Sequence, residues 1–358
     1  MTESERTRKC LTEHYKDYPR LQTADLFKYL FQSALGCEHL VTSENDAVEY
    51  IKREYAQMKE GGKAFAERLD GDYSRVSLSC LDGGLRAETL GRLFFLSAKK
   101  EPLGRESLKE KLSVALAMAK GGELPFSVAE LQAAINEWEQ KDYCAVRHSE
   151  DFRQTYGPAY RVVANKYARF LPLFSRIDTV MKKGSAIIAI EGGSASGKTT
   201  LAKILSEVYD CNVFHMDDFF LRPEQRTSER YAEVGGNVDR ERFLDEVLKP
   251  TRENNTVEYR RFDCSTQVLE PPVKIEPKAL TVIEGAYSMH TELSPYYDLS
   301  VFLDISPEYQ RERILKRNSP QLAERFFGEW IPLELKYFSG MSVKERCDIS
   351  FDIDEIML

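Results

Sequence analysis

No two of the seven cysteines form a C-x-x-C pair, and their number is odd. Cys10, Cys37, Cys80, Cys144, Cys211, Cys264 and Cys347 are scattered along the chain. That pattern argues against a disulfide framework or a cysteine-based zinc site and predicts a reducing compartment. Long apolar runs are missing too. None approaches the roughly 18 residues that would span a bilayer, so no membrane partner is expected. The first residues, Met-Thr-Glu-Ser-Glu-Arg, are charged, and no signal peptide is expected. Neither half carries an excess of positive charge. Residues 1–181 hold 27 Lys+Arg against 27 Asp+Glu, and residues 182–358 hold 23 against 31. A nucleic-acid polymer is therefore not expected as a partner. Internal repeats and low-complexity tracts are absent. A soluble, cytoplasmic protein is expected. Its 358 residues, 42% of them hydrophobic, can fill the cores of one to three domains.

What is present centres on residues 186–200. Ala186–Ile190 reads as a buried strand. It runs into Gly192-x-x-x-x-Gly197-Lys198-Thr199, and Leu201, Ile204, Leu205 and Val208 then recur at helical spacing. Strand, glycine-rich loop and helix together are the context of a P-loop. Backbone N–H groups of such a loop wrap a nucleotide's phosphates, and glycine permits the tight turn and the close approach. A helix N-terminus behind the loop favours the same anions. Gly192, Gly193, Ser194, Ala195, Ser196, Gly197, Lys198, Thr199 and Thr200 are the expected ATP-binding residues. Lys198 would reach the β- and γ-phosphates, and the Thr199 hydroxyl would ligate Mg2+.

Residues 1–182 read as a separate, mainly helical domain of unknown function. Phe27, Leu30, Phe31 and Ala34 share a helix face that stops at Gly36. Val48, Ile51, Tyr55 and Met58 form another, ended by Gly61-Gly62. Residues 74–80 alternate as a short strand. Helical patterns return at 85–98, 106–119 and 127–140, with Ser127 and Glu130 at capping-box spacing. A long segment over 158–181 carries Val162, Val163, Tyr167, Phe170 and Phe174, and Pro172 is expected to kink or end it. His39 and His148 are candidate metal or acid/base residues, weighed against ordinary packing. Lys182-Lys183-Gly184-Ser185 is a polar joint, and the second domain is placed at 183–358.

That domain continues with Asn212–Phe220, a short strand whose end carries Asp217 and Asp218. Ligands of open parallel sheets sit beyond the C-terminal strand ends. An acid there can accept a hydroxyl proton or help hold Mg2+. Residues 222–238 read as a mobile loop. Asp239 caps a helix expected to end at Pro250. Two β patterns follow, Val257–Asp263 and Val273–Ile275. Ala279–Gly285 is another apolar strand, and its terminal Glu284 is the expected metal-side acid. Val301–Ile305 is a further core strand. The basic helix after it places Arg313 and Arg317 one turn apart, a candidate phosphate clamp.

In this order the features resemble the uridine kinase family, within the wider group that includes phosphoribulokinase and bacterial pantothenate kinase. The likeness covers about 185–353. Gly192–Thr200 resembles that family's P-loop, and Met216-Asp217-Asp218-Phe219-Phe220 resembles its strand-end motif, whose Asp is the catalytic base. Tyr259–Asp263 with Val273–Glu276 resembles its substrate-binding β-ribbon. Ile283-Glu284-Gly285 resembles its metal-side acid, Arg313–Arg317 its lid, and Cys347-Asp348-Ile349 its closing strand. The resemblance implies an α/β P-loop kinase fold and transfer of a phosphoryl group from Mg-ATP to a small-molecule hydroxyl, first of all a nucleoside's. Lys198, Asp217, Arg313 and Arg317 would be catalytic, Thr199 and Glu284 would serve the metal, and Asp218, Tyr259, Arg261 and Asp263 would grip the acceptor. Two departures keep other acceptors open. The ribbon begins Tyr259-Arg260-Arg261-Phe262-Asp263, whose arginines suit an acceptor already bearing a phosphate or carboxylate. After Arg317 come Asn318-Ser319-Pro320, where nucleoside kinases carry further lid arginines. A sugar, a vitamin or a phosphorylated metabolite is the second reading of the acceptor. A regulatory NTPase acting on the helical domain is the third reading of the function. Self-association is left open.

Overall fold

Apolar residues in the first half recur every three or four positions, and most of that half is helical. The computed structural model describes residues 2–37, 43–58, 66–99 and 103–357. The chain forms two compact units, Met1–Ser175 and Arg176–Leu358. The division falls inside the helix Leu171–Val180, ahead of the polar joint at 182–185.

In the first unit, helices at Glu3–Asp17, Thr23–Leu35, Glu44–Tyr55, Ala87–Ala98, Arg105–Lys120 and Val128–Gln140 surround a small antiparallel sheet. Its strands are β1 (Ala66–Arg68), β2 (Tyr73–Ser77) and β3 (Tyr160–Ala164), in that order. The helix Thr23–Leu35 stops at Gly36, whose φ of 64° suits glycine. Both Gly61-Gly62 and His39 lie outside the described residues.

Three expectations are corrected here. Residues 158–181 are not one helical segment. Gly157, left-handed at φ 53°, ends the helix Glu150–Tyr156, and Tyr160–Ala164 then pairs with β2. Val162 and Val163 are β-branched and favour the pleat once a partner strand is available. Pro172 opens the helix Leu171–Val180 instead of ending one, since its missing N–H falls in a first turn, where no intrahelical bond is due. Ser127 stands at the N-cap of Val128–Gln140, but its side chain makes no capping bond. The Ser127/Glu130 spacing supplied the groups and not the rotamer.

The second unit is built on a five-stranded parallel sheet. Its strands are β4 (Ala186–Gly192), β5 (Cys211–His215), β10 (Leu280–Glu284), β11 (Leu299–Asp304) and β12 (Ile349–Asp352), in the order β12-β11-β4-β10-β5. Continuous apolar runs make these strands, because helices cover both faces of a parallel sheet. Between β5 and β10 the chain makes two short antiparallel ribbons. One pairs β6 (Val257–Tyr259) with β9 (Val273–Ile275), and the other pairs β7 (Phe262–Asp263) with β8 (Val268–Leu269). Phe243, fully buried, meets Phe219 edge-on at 4.9 Å, and Tyr259 stacks on Phe219 at 5.6 Å.

Two more expectations change in this unit. The helix capped by Asp239 runs through Pro250 to Arg252, because residues 244–248 widen into a π turn ahead of the proline. A wider turn re-spaces the carbonyls that the proline ring would otherwise strike. Residues 222–238 are not bare loop either. They hold a 3-10 turn at Pro223–Gln225 and a short helix at Ser228–Ala232. Arg230 ties them to the Gly236 and Val238 carbonyls at 2.8 Å and to the Glu241 carboxylate at 2.7 Å.

Gly285, directly after β10, has φ 143°, and a Cβ there would lie 2.6 Å from the Met216 Cβ. Gly285→Ala is expected to lower stability by at least ~2 kcal/mol in urea unfolding. A change within about 0.5 kcal/mol would show that neither the backbone angle nor the close approach matters.

Candidate active site

Parallel pairing brings the C-terminal ends of three strands to one edge. Glu284 is in register with Ile190 of β4 and with His215 of β5. The P-loop therefore starts beside Glu284, and Asp217 follows two residues after its register partner.

The loop itself needs its glycines. A Cβ on Gly192 would lie 2.5 Å from the Leu303 carbonyl oxygen, and Gly197 has φ 102°. Ala195 adopts a left-handed φ of 64°. Gly193 is buried, and Lys198–Val208 is the helix behind the loop, with Thr199 and Thr200 exposed in its first turn. Lys198 Nζ donates to the carbonyls of Gly192 at 2.9 Å and Gly193 at 3.0 Å. Ser196 Oγ is buried with no hydrogen-bond partner. An orphaned hydroxyl in a loop of N–H donors is what an incoming phosphate would satisfy.

Beside the loop, Thr199 Oγ donates to Glu284 Oε1 at 3.0 Å, and His215 Nδ1 lies 2.5 Å from the same oxygen. The hydrogen bonds from His215 and Thr199 and the charge of Lys198 outweigh burial and hold the Glu284 carboxyl below its ordinary range. Contact with Glu284 raises the His215 imidazole. A hydroxyl and a carboxylate are hard oxygen donors of the kind Mg2+ takes alongside phosphate and water oxygens. Among the described residues no group of three or more His, Cys, Asp or Glu side chains is arranged to hold a metal by itself.

Asp217 is exposed, yet desolvation by the protein around it raises its carboxyl above the ordinary range. Lys198, His215 and Arg317 pull the other way, and Glu284 adds to the rise. Of the two expected clamp residues, Arg317 is thus within electrostatic reach of Asp217. The Arg313 guanidinium lies over the Tyr309 ring of its own helix, 5.6 Å from the centroid. Asp218, Tyr259 and Arg261 come together. The Tyr259 hydroxyl donates to Asp218 at 3.4 Å, Arg261 Nε donates to that hydroxyl at 3.4 Å, and Arg261 approaches Asp218 at 3.6 Å. Asp263 is not part of that cluster. Its carboxylate accepts from the Ser265 N–H and the Ser265 and Thr266 hydroxyls of the β7–β8 turn, and those bonds lower its pKa to about 2.

Four residues of the site escaped the sequence reading. Glu334 accepts from the Ser194 N–H at 2.9 Å and from the Ser194 hydroxyl at 2.6 Å. Burial raises its carboxyl, and Lys198 opposes the rise. Gln310 donates to the Ser194 carbonyl at 2.8 Å. His215 was legible only through its register with Glu284. Glu191 ends the buried run before the loop. It is fully buried and accepts from the Gly192 N–H at 2.8 Å, the Met289 N–H at 3.0 Å and the Tyr337 hydroxyl at 3.0 Å.

Residues 187–322 match the model of the Phosphoribulokinase / Uridine kinase family. This segment is a P-loop kinase domain of that family. Among curated proteins, the chain is 26% identical to a phosphoribulokinase of Synechocystis sp. over 144 residues, 39% of this chain and 42% of that protein. It is 25% identical to a uridine kinase of Geobacillus kaustophilus over 158 residues, 40% of this chain and 71% of that protein. The chain thus spans less than half of the phosphoribulokinase. A solved structure of a possible uridine kinase from Bacillus stearothermophilus is 23% identical, with a TM-score of 0.38. The match covers 50% of this chain and 99% of that one. The first unit lies outside the family match. No described helix is long and apolar enough to cross a membrane.

Burial raises the Glu191 carboxyl from its ordinary value of 4.5 to about 7. A raised carboxyl binds its proton in the folded state first. Its charging cost is therefore absent below pH 4.5, grows as pH rises and is complete above about 7, where it amounts to roughly 3 kcal/mol. Glu191→Gln keeps an acceptor oxygen without the charge. Its Tm relative to the parent is expected to rise steadily from pH 5 to pH 8. A difference that stays flat across that range would remove Glu191 as a buried titrating group.

Proposed function

We propose that this protein transfers the γ-phosphoryl group of ATP to a hydroxyl of a small molecule, with a nucleoside as the first acceptor. The observation that carries the reading is the meeting of Lys198, Glu284 and Asp217 at the aligned ends of β4, β10 and β5. The family match and the likeness to a uridine kinase support it.

The backbone N–H groups of 193–199 and the Ser196 hydroxyl receive the phosphates. Lys198 exchanges the Gly192 and Gly193 carbonyls for phosphate oxygens. Thr199 and Glu284 would hold Mg2+, which neutralises charge on the transferring group. Asp217 accepts the acceptor's hydroxyl proton as that oxygen bonds to the γ-phosphorus. The bond from the γ-phosphorus to the oxygen it shares with the β-phosphorus breaks, and ADP leaves with the electron pair. Arg317 leaves the Phe326 ring and Arg313 the Tyr309 ring to draw toward the phosphates and exclude water. Asp218, Tyr259 and Arg261 face the acceptor.

A second acceptor class has an observation of its own. The Arg261 side chain is 49% exposed beside Asp218, and an acceptor phosphate or carboxylate would suit it. ADP release with Mg-ATP, alone and with uridine, cytidine, pantothenate, sugars and sugar phosphates, separates the readings. Stimulation by uridine or cytidine is expected. Stimulation by a sugar phosphate alone would shift the acceptor to the second class. Equal basal and stimulated rates would favour a regulatory NTPase.

Two variants test the roles. Asp217→Asn is expected to keep ATP affinity and lose transfer by ~100-fold or more. Near-parental transfer would remove Asp217 as the base. Glu334→Gln keeps hydrogen-bonding groups near Ser194 without a negative charge beside the triphosphate. ATP is expected to bind it several-fold more tightly in calorimetry. Weaker binding would make Glu334 an anchor that the loop needs.

A further inference from the structure

The first unit contains a cavity of about 770 Å³, a volume suited to a metabolite. Lys28, Arg147, Arg161, His148, Tyr50 and Tyr160 are on its wall. The unit is electrically balanced in sequence, yet this wall carries Lys28, Arg147, Arg153 and Arg161 against Asp46 and Glu54. Glu54 is already paired with Arg161 at 2.8 Å, and Arg153 is paired with Glu150. Lys28 donates to the Val146 carbonyl at 3.3 Å. Among the described residues no carboxylate pairs with Lys28 or Arg147.

Arg161 is built in rather than draped over the surface. It is 6% exposed, and its guanidinium sits over the rings of Tyr50 and Phe94, 5.0 and 5.8 Å from their centroids. One terminal nitrogen serves Glu54 and the Tyr160 carbonyl, and the other, Nη2, is buried with no partner. Behind the wall, Arg75 repeats the arrangement. It is 2% exposed, bonded to Gln32 Oε1 at 2.8 Å, positioned over the Tyr160 ring, and its Nη2 is also unpartnered. Both guanidinium groups thus add buried positive charge in and behind the wall of the cavity. Burial, with Arg75 and Arg147, lowers the Lys28 pKa to about 8 against the opposing pull of Asp25 and Glu54.

His148 is not one of the cations. Its Nδ1 faces Asp25 at 2.8 Å and its Nε2 the Tyr160 hydroxyl at 2.8 Å. Burial lowers it to about 4, so it is neutral near pH 7 and fixes Tyr160 in the wall. More than one unmatched cation facing one space calls for more than one negative charge on one small group. A phosphate monoester carries nearly two, with three acceptor oxygens for forked guanidinium donors.

We propose that this cavity binds a small phosphorylated metabolite, its phosphate held by Lys28 and Arg147. The site is separate from the P-loop and does not depend on the kinase reading.

Isothermal titration of the full chain with ribose 5-phosphate, glucose 6-phosphate and uridine monophosphate tests it, with ribose and citrate as comparison probes. Lys28→Gln and Arg147→Ala remove side chains that no described carboxylate needs, so both should fold, as far-UV circular dichroism and Tm would verify. At least one phosphorylated probe is expected to bind. It should lose more than about tenfold in affinity in each of these two variants and keep it in Lys198→Ala, where the P-loop is disabled. Binding lost in Lys198→Ala but untouched by the first-unit variants would overturn the proposal. So would no binding of any phosphorylated probe, or binding of citrate in their place.

Discussion

Parallel register is the constraint on which the second unit depends. Because β4 lies between β10 and β11 with every strand pointing the same way, all the chain's exits fall on one edge. The P-loop, Glu284 and the His215–Asp217 turn meet there without any direct sequence link. A slip of one residue would turn Glu284 from that edge into the opposite face of the sheet. Gly192 and Gly285 sit where the pairing is tightest, against the Leu303 carbonyl and Met216, and they let the chain leave the sheet at the required angle.

Charge then organises the edge. Lys198 is the cation at its centre, and Glu191, Glu284, Glu334 and Asp217 all respond to it. The carboxylates divide by environment. Hydrogen bonds and Lys198 keep Glu284 ionised, whereas burial raises Glu191 and Glu334. The loop's donors are meanwhile held by internal acceptors: Ser194 by Glu334, and Lys198 by two carbonyls.

The first unit follows a different logic. Its sheet is short, and its interior is polar where Asp25, His148, Tyr160, Gln32, Arg75 and Glu67 are joined by hydrogen bonds and an ion pair. Such a network orders the wall of the cavity, because each member fixes the rotamer of the next. The cost of two buried guanidinium groups with free nitrogens is borne by the packing of the aromatic rings around them.

The sequence by itself determined the local devices. The P-loop's glycines, Lys198 and Thr199, the acids at strand ends and the apolar runs of the sheet are each contiguous, and contiguous chemistry can be read from spacing. It also located the β-ribbon residues, although Asp263 spends its carboxylate on its own turn. The tertiary structure alone decided what joins distant segments. Glu334 reaches Ser194 across 140 residues, Tyr160–Ala164 becomes a strand because β2 offers it an edge, and Pro250 is accommodated by a π turn. The cavity of the first unit was invisible for the same reason. Lys28, Arg147 and Arg161 form no motif in the chain, and only folding concentrates their charge in one space, since electrostatic energy depends on distance through space rather than along the backbone.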